Sequence, residues 1–391
     1  MKTIKFTSVI ILFAIISGCA NGNKNSAGDL ITVDVTKTDY PKKELIFQDF
    51  MDVEYVALET NDEFINQGFV QDIGKETILV RNRNDDGNIF IYDRNGKALR
   101  KINRKGQGGE EYTDILGITL DEDNGEMFVN NLFARKIVVY DLFGNYKRTL
   151  KHQDTDRAIV YTNILNYNNE NLICYDYLNK KTSFFLISKQ DGNITKEITI
   201  PVKEKLFLRQ QLKDEANDIV YTVSPGEYSN IISSKDGLIL LELSSDTVYT
   251  LLPDNNLLPI IVRNPPIQNS DPEVYLILRL MSDRYYFMET IKNEYDFNTK
   301  DGFPRKFMVY DRKEKAMFNY TVNNGDFSIT KEMYMSMLRP VNFESEYWYP
   351  LEAHQLVESY EKGELRGKLK EIAATLDEES NPVIMLIKHK K

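Results

Sequence analysis

The sequence predicts an all-β fold: a six-bladed β-propeller of four-stranded antiparallel blades, closed by pairing N- and C-terminal strands, with one inserted helix near the C-terminus. Three observations predict it. A strand–turn phrase recurs along the chain, hairpin signals fall at blade spacing, and two apolar terminal strands lack any local partner.

The recurring phrase is a run of apolar residues, an aromatic, a small polar residue and a turn. Its clearest copies are Asn88-Ile-Phe-Ile-Tyr92-Asp93-Arg-Asn-Gly96 and Lys136-Ile-Val-Val-Tyr140-Asp141-Leu-Phe-Gly144. Ser183-Phe-Phe-Leu-Ile187-Ser188, Asp246-Thr-Val-Tyr249 and Lys306-Phe-Met-Val-Tyr310-Asp311 continue the series. The anchors Tyr92, Tyr140, Ile187, Tyr249 and Tyr310 are separated by 48, 47, 62 and 61 residues. Propeller blades repeat every 40–50 residues or so, and the two longer gaps call for insertions.

The second unit shows the expected blade. Gly117–Asp121, Glu126–Asn130, Lys136–Asp141 and Tyr146–Leu150 alternate as strands, and Asn124-Gly125 and Gly144-Asn145 mark tight turns between them. Five anchors give five blades. The sixth is composite: Val53–Leu58 near the N-terminus pairs with Asn381–Lys388 near the C-terminus, and Phe69–Ile73 opens blade 1. Such closure removes an exposed sheet edge. One segment breaks the pattern: Leu365, Leu369, Ile372 and Leu376 share one helical face, placing a helix within residues 353–377 or so.

Composition agrees. Hydrophobic residues make up 42% of the 391, and 23 tyrosines and 20 phenylalanines favour strands. Net charge is −10 with no dense basic stretch, which excludes a nucleic-acid surface. The two cysteines, Cys19 and Cys174, form no disulfide framework, and Cys174 in a strand-like run is a packing thiol.

The N-terminus carries export signals. Met1–Lys5 is basic, Phe6–Ile16 is apolar and too short to span a bilayer comfortably, and Ile16-Ser-Gly-Cys19 resembles a lipobox. Residues 1–19 are therefore expected to be a lipoprotein signal ending at the lipid-attachment residue Cys19, residues 20–40 a flexible tether, and residues 41–391 a single propeller domain. Ala20 is not Asp and no acidic cluster follows Cys19, which points to the outer membrane and its periplasmic face.

Together these features resemble the six-bladed β-propeller lipoproteins common in Bacteroidetes. Val53–Thr60, the block Gly106-Gln-Gly-Gly-Glu-Glu-Tyr112, the Tyr-Asp-x-x-Gly turns and Asn381-Pro-Val-Ile-Met-Leu carry the likeness. In that family the block usually has Gly-x-Gly-Pro-Gly-Glu-Tyr; here Gly109 stands at the proline position, or the spacing is one residue shorter. The resemblance implies fold and envelope localisation. It implies little about function, because one fold hosts many functions.

Two candidate sites stand out. The block Gly106, Gly108, Gly109, Glu110, Glu111 and Tyr112 is a possible ligand loop, or an inter-blade loop whose glycines take positive φ. Tyr347, Trp348 and Tyr349 are a possible aromatic platform for a sugar ring, or plain packing. Asn82–Asp93 spaces its oxygens like a calcium loop but lacks the first Asp and the twelfth-position Glu, so a hairpin turn is expected there. His152, His354 and His389 have no metal spacing, and no nucleophile motif occurs. The expectation is a non-enzymatic, membrane-anchored binding or scaffold protein without cofactor or metal, taking a protein, peptide or glycan partner. The alternative is a polysaccharide hydrolase or lyase with acids in the central pocket.

Overall fold

The middle strands of each repeat are apolar at nearly every position, whereas the last strand alternates. Asn88–Asp93 and Lys136–Asp141 are buried along their lengths, and Ala98–Asn103 and Tyr146–Lys151 are half exposed. A sheet with both faces covered needs this pattern, and radial stacking of blades supplies the cover. The computed structural model describes residues 30–37, 39–152, 159–226, 228–341 and 347–390 and shows this arrangement.

Six four-stranded antiparallel blades surround a central channel. Blade 1 is Phe69–Ile73, Thr77–Arg81, Asn88–Asp93 and Ala98–Asn103. Blade 2 is Gly117–Asp121, Glu126–Asn131, Lys136–Asp141 and Tyr146–Lys151. Blade 3 is Tyr161–Asn166, Asn171–Asp176, Phe184–Ser188 and Ile194–Ile198. Blade 4 is Ile231–Ser234, Gly237–Leu240, Thr247–Leu251 and Leu257–Asn264. Blade 5 is Val274–Met281, Tyr285–Lys292, Arg305–Asp311 and Ala316–Asn323. Blade 6 is Arg339–Pro340, Tyr347–Leu351, Val383–His389 and, from the other end of the chain, Met51–Ala57.

The five anchors all fall on third strands. In blades 1 to 4 the ladder shifts register at the anchor, between Ile91 and Tyr92, Val139 and Tyr140, Leu186 and Ile187, and Val248 and Tyr249. A bulge there adds twist just before the turn into the rim strand. The core lies between blades. Ile78, Val80 and Phe90 of blade 1 pack on Ile384 and Leu386 of blade 6, and Leu79, Ile89 and Ile91 face Met127 and Val129 of blade 2.

Closure follows the expected pairing: Val383 stands opposite Ala57 and His389 opposite Met51. Gly96 sits against this junction. Its φ is +84, and a Cβ would lie 2.0 Å from the carbonyl oxygen of Ala57. Gly125 also has positive φ, +63, but faces open space. Gly125→Ala is therefore expected to cost about 1 kcal/mol, the left-handed strain alone, and Gly96→Ala about 2–4 kcal/mol. Urea midpoints of the two variants check this; equal shifts would show that the contact with Ala57 carries no cost.

Two features differ from expectation. The stretch assigned to a tether, 20–40, contains a strand: Ile31–Asp34 pairs in parallel with Leu257–Asn264 as a fifth strand of blade 4. Ile31, Val33 and Val35 alternate into the core, a short signal overshadowed by the polar residues before it. Lys42–Ile46 does the same on blade 5, so the N-terminal segment straps the rims of blades 4 and 5 before completing blade 6. The helical insertion is present between the second and third strands of blade 6. It is divided into Ala353–Glu361 and Gly367–Ala373, with Gly363 turning at φ +69. Leu356, Leu365, Leu369 and Ala373 pack into the core beside Met333 and Met335.

Candidate functional site at the channel mouth

The innermost strand of every blade runs in the same direction, so their first residues ring one mouth of the channel. Phe69, Tyr161, Ile231 and Arg339 each open an inner strand. Antiparallel pairing brings the second strand back to the same face: Arg81, the last residue of its strand, stands opposite Phe69, and Trp348, near the start of its strand, opposite Arg339. The long 187-to-249 gap supplies the rest. Between blades 3 and 4 the chain makes a hairpin, Gln210–Asp214 with Ile219–Val223, and its flanks carry Leu208, Ser224, Gly226 and Tyr228 to the rim.

The mouth is a cavity of about 530 Å³. Phe69, Tyr177, Tyr228 and Trp348 line it with aromatic surface, Arg81 and Arg339 with positive charge, and Gln71, Thr162, Asn163 and Asn230 with neutral polar groups. Among the described residues lining it, none is Asp or Glu. Phe69 and Trp348 meet edge to face with centroids 5.9 Å apart, and the Arg81 guanidinium lies 5.0 Å over the Phe69 ring. Burial pushes the phenols of Tyr177 and Tyr228 up, so both stay protonated donors at neutral pH.

The rim is held in place. Asn230 N–H donates to Asn163 Oδ1 at 3.0 Å, and Gln210 Nε2 to the Asn293 carbonyl at 2.6 Å. Arg305 of blade 5 donates to the Pro225 carbonyl. Behind this wall Glu289, fully buried, accepts from Arg279 Nε at 2.8 Å and lies 3.4 Å from Arg305.

Below the mouth the channel narrows to a cavity of about 170 Å³ lined by Asp72, Thr119 and Asn130 among others. Asp72 accepts from the N–H of Ile73 at 2.9 Å and of Leu120, on blade 2, at 2.8 Å. Thr119 donates to the Ile164 carbonyl at 2.7 Å, and Asn130 Nδ2 to the Tyr161 carbonyl at 2.8 Å, tying blade 2 to blade 3. A third cavity of about 160 Å³ opens toward the opposite face. The second cavity mixes these polar groups with apolar ones, Ile118, Leu165 and Ile231 among them, and acids gather at the third, where Asp72, Asp121, Glu122 and Asp123 line it.

The sequence-predicted sites lie elsewhere, with one exception. Cys19 lies outside the described residues. The glycine block forms the connection between blades 1 and 2 and bonds mainly to itself: Gly108 N–H donates to Glu111 Oε2 at 2.7 Å and Gly106 N–H to the Tyr112 carbonyl at 3.0 Å. Tyr112 is buried, its hydroxyl donating to the Gly87 carbonyl at 2.7 Å and accepting from Arg104 N–H at 2.9 Å. Gly109 carries a carbonyl that accepts from Lys136 at 3.3 Å, and Glu110 one that accepts from Tyr140 at 2.6 Å. The structure does not bring this loop to the mouth.

The aromatic trio is split, because neighbours on a strand face opposite ways. Trp348 joins the mouth and blade 1, whereas Tyr347 and Tyr349 pack toward the blade 5 side. The three cannot form one platform; Trp348 is buried and meets Phe69 edge to face instead. Asn82–Asn88 is a hairpin turn, with Asp86 accepting from Asn82 at 2.6 Å and from the Asn88 N–H at 2.9 Å. Cys174 is fully buried, and burial pushes its thiol up. Sequence reasoning missed Phe69, Arg81, Tyr177, Tyr228 and Arg339. Aligning the blades and asking which residues begin the inner strand or end the second would have found Phe69, Arg81 and Arg339.

A family model described as a domain of unknown function, DUF4934, matches residues 30–388. The chain belongs to the DUF4934 family. Among solved structures, this DUF4934 chain is similar to a protein of Bacteroides fragilis named for its expected export, with TM-score 0.58 and 14% identity over 90% of this chain and 99% of that one. At that identity the likeness shows the fold. A DUF4221 family member from Bacteroides vulgatus (TM-score 0.43, 10% identity, 88% and 100% coverage) lies too far off to support any inference. The same holds for virginiamycin B lyase from Staphylococcus aureus (TM-score 0.37, 11% identity, 87% and 100% coverage). No protein of curated function matches the DUF4934 chain in sequence. Among the described residues no helix is long and apolar enough to cross a membrane.

Proposed function

We propose that this protein is a non-enzymatic binding protein of the cell envelope, anchored by lipid at Cys19 to the outer membrane and facing the periplasm, with its ligand seated in the channel mouth. The observation that carries the binding reading is the open cavity of about 530 Å³, aromatic-walled and flanked by Arg81 and Arg339. Aromatic faces stack on the apolar faces of sugars or on peptide side chains, and guanidinium groups pair with carboxylates. A glycan or peptide carrying acidic groups fits both. The hydrolase alternative asks for two carboxylates about 5–10 Å apart; the described mouth lining holds none, and the deeper acids Asp72, Asp121 and Glu122 are engaged by backbone N–H groups or by Lys189. Envelope placement is supported by the leader-like N-terminus and by the export named for the Bacteroides fragilis relative.

The molecule supplies its own probe. Trp348 is the only tryptophan of the chain and lines the mouth, so a ligand seated there changes tryptophan emission. Titration with acidic oligogalacturonate or an acidic peptide is expected to give a saturable change, and a neutral oligosaccharide of equal length a weaker one. Arg339→Ala is expected to weaken binding about 10- to 100-fold, the loss of one charge-assisted contact. Emission that stays constant across acidic and neutral glycans and peptides alike would remove the mouth as the binding site. Mass spectrometry of the Cys19 peptide, after expression with its own leader, tests the anchor separately.

A further inference from the structure

The face opposite the mouth carries a second concavity that the proposed ligand does not use. It is a groove of about 470 Å³ under blades 4 and 5, lined by Tyr286 and Tyr310 with Arg284, Arg312, Lys313 and Lys315 around them and one acid, Asp283. In a chain of net charge −10 this is a local excess of positive charge.

Several of these charges are already matched. Lys43 and Arg284 pair with Asp311 and Glu314, at 2.6 Å for both Lys43 contacts and 2.8 Å from Arg284 to Asp311. Lys235 pairs with Asp283. Arg312 and Lys313 are different: both are exposed, and the Asp283 carboxylate that Arg312 approaches is already bound by Lys235. Arg312 is nonetheless held in position. Its Nη1 donates to the Asp283 carbonyl at 2.9 Å, and its guanidinium lies 5.5 Å over the Tyr286 ring. Tyr286 and Tyr310 stand directly opposite on adjacent strands and floor the groove.

Position supplies the occupant. Ile31, the first residue of the strap strand, lines the same groove, so the chain reaches the propeller at this face. Cys19 is 11 residues before Leu30. A fully extended segment of that length spans about 40 Å at most. With Cys19 in a bilayer, the groove is the part of the domain next to the tether, and the ligand mouth is on the far side. We infer that this groove binds the phosphate of anionic phospholipid headgroups, a second and electrostatic membrane contact that turns the mouth away from the membrane. The orientation rests on the lipid-anchor reading; the headgroup site itself does not.

The test uses the chain from residue 20 onward, which keeps every described strand and carries no acyl chain. It is sedimented with phosphatidylcholine vesicles with and without phosphatidylglycerol. The expected result is binding only to the anionic vesicles, weakening as salt rises. Each basic residue near an anionic surface is worth about 1 kcal/mol, so Arg312→Ala/Lys313→Ala is expected to weaken binding about 20- to 30-fold. Both positions are on an exposed turn, and an unchanged urea midpoint confirms folding. Equal binding to neutral and anionic vesicles, or anionic binding untouched by the double variant, overturns the inference. So does binding of millimolar inorganic phosphate by a chain that sediments with neither vesicle, which would make the groove a free-anion site. A Cys19 peptide without lipid would instead overturn the anchor and leave the vesicle result standing.

Discussion

Lys205→Met is expected to lower the free energy of unfolding by about 3–5 kcal/mol, among the largest effects of any single substitution in this chain. Lys205 lies in the insertion between blades 3 and 4 with its side chain 2% exposed, and Glu242 of blade 4 faces it at 2.6 Å, 1% exposed. Lys205 also donates to Tyr175 Oη at 3.0 Å and Ser183 Oγ at 3.3 Å, both on blade 3. Glu242 further accepts from the Ser244 N–H at 3.0 Å. The network closes the seam behind the mouth, so its loss acts on the seam and on the rim together. Methionine keeps the volume of the lysine stem but leaves a buried carboxylate without its counter-charge.

The pH dependence separates this account from simple misfit. Burial alone pushes the Glu242 carboxyl up, but the charge and hydrogen bond of Lys205 outweigh it and hold the group below its ordinary value. A carboxyl depressed in the folded state contributes stability above its unfolded pKa, about 4.3, and loses it as pH falls through the folded value. In Lys205→Met the burial, the largest of these influences, is opposed only by the hydrogen bonds from Ser183 and the Ser244 N–H, so the sign is expected to reverse: the folded carboxyl lies above the unfolded one, and the variant gains stability as pH falls through that window. Urea unfolding at pH 7 and pH 5 is therefore expected to show the gap between wild type and variant narrowing with acidification. Glu242→Gln added to Lys205→Met should recover a large part of the loss. A gap independent of pH, with no recovery in the double variant, would assign the cost to packing.

Much of the fold was legible because the chemistry that builds a blade is local. The Tyr92, Tyr140 and Tyr310 phrases mark third strands because a strand buried on both faces must be apolar throughout, and the turn after it needs Asp and Gly. The terminal strands stood out because Val383–His389 is apolar with nothing nearby to pair with. The strap at Ile31–Asp34 was not legible: four residues alternate too briefly to be told from a loop. The mouth was less legible still. Phe69, Tyr177, Trp348 and Arg339 lie on blades 1, 3 and 6, and only the curvature of the ring brings them together. Adjacency along the chain misled at Tyr347–Tyr349, where the pleat sends neighbours to opposite faces.

Removing residues 381–391 is expected to abolish cooperative folding. Val383–His389 pairs with Tyr347–Leu351 on one side and Met51–Ala57 on the other, so its loss strips both ladders and opens the ring between blades 5 and 1. Val383, Ile384, Met385, Leu386 and Ile387 are all fully buried, at about 1.5–3 kcal/mol for each side chain. That sum is as large as the whole stability of a usual domain, about 5–15 kcal/mol. A closed ring has no blade that can be lost cheaply, because each face buries the next. Asn381 clasps the junction: its Nδ2 donates to the carbonyls of Glu59 at 2.9 Å and Phe64 at 2.7 Å, and its Oδ1 accepts from Asn66 N–H at 2.8 Å. Asn381→Ala strips the Phe64 carbonyl and the Asn66 N–H of this partner and leaves the Glu59 carbonyl only a long contact from the Tyr92 hydroxyl at 3.5 Å, and is expected to cost about 3 kcal/mol. The truncated chain should lose its sharp urea transition and bind a dye for exposed apolar surface. Adding a synthetic peptide of residues 381–391 should restore both signals, since the missing strand enters as a ladder partner on two sides. A truncated chain that still unfolds cooperatively, with unchanged midpoint, would mean that the blade 6 seam is dispensable and that the N-terminal straps on blades 4 and 5 hold the ring closed by themselves.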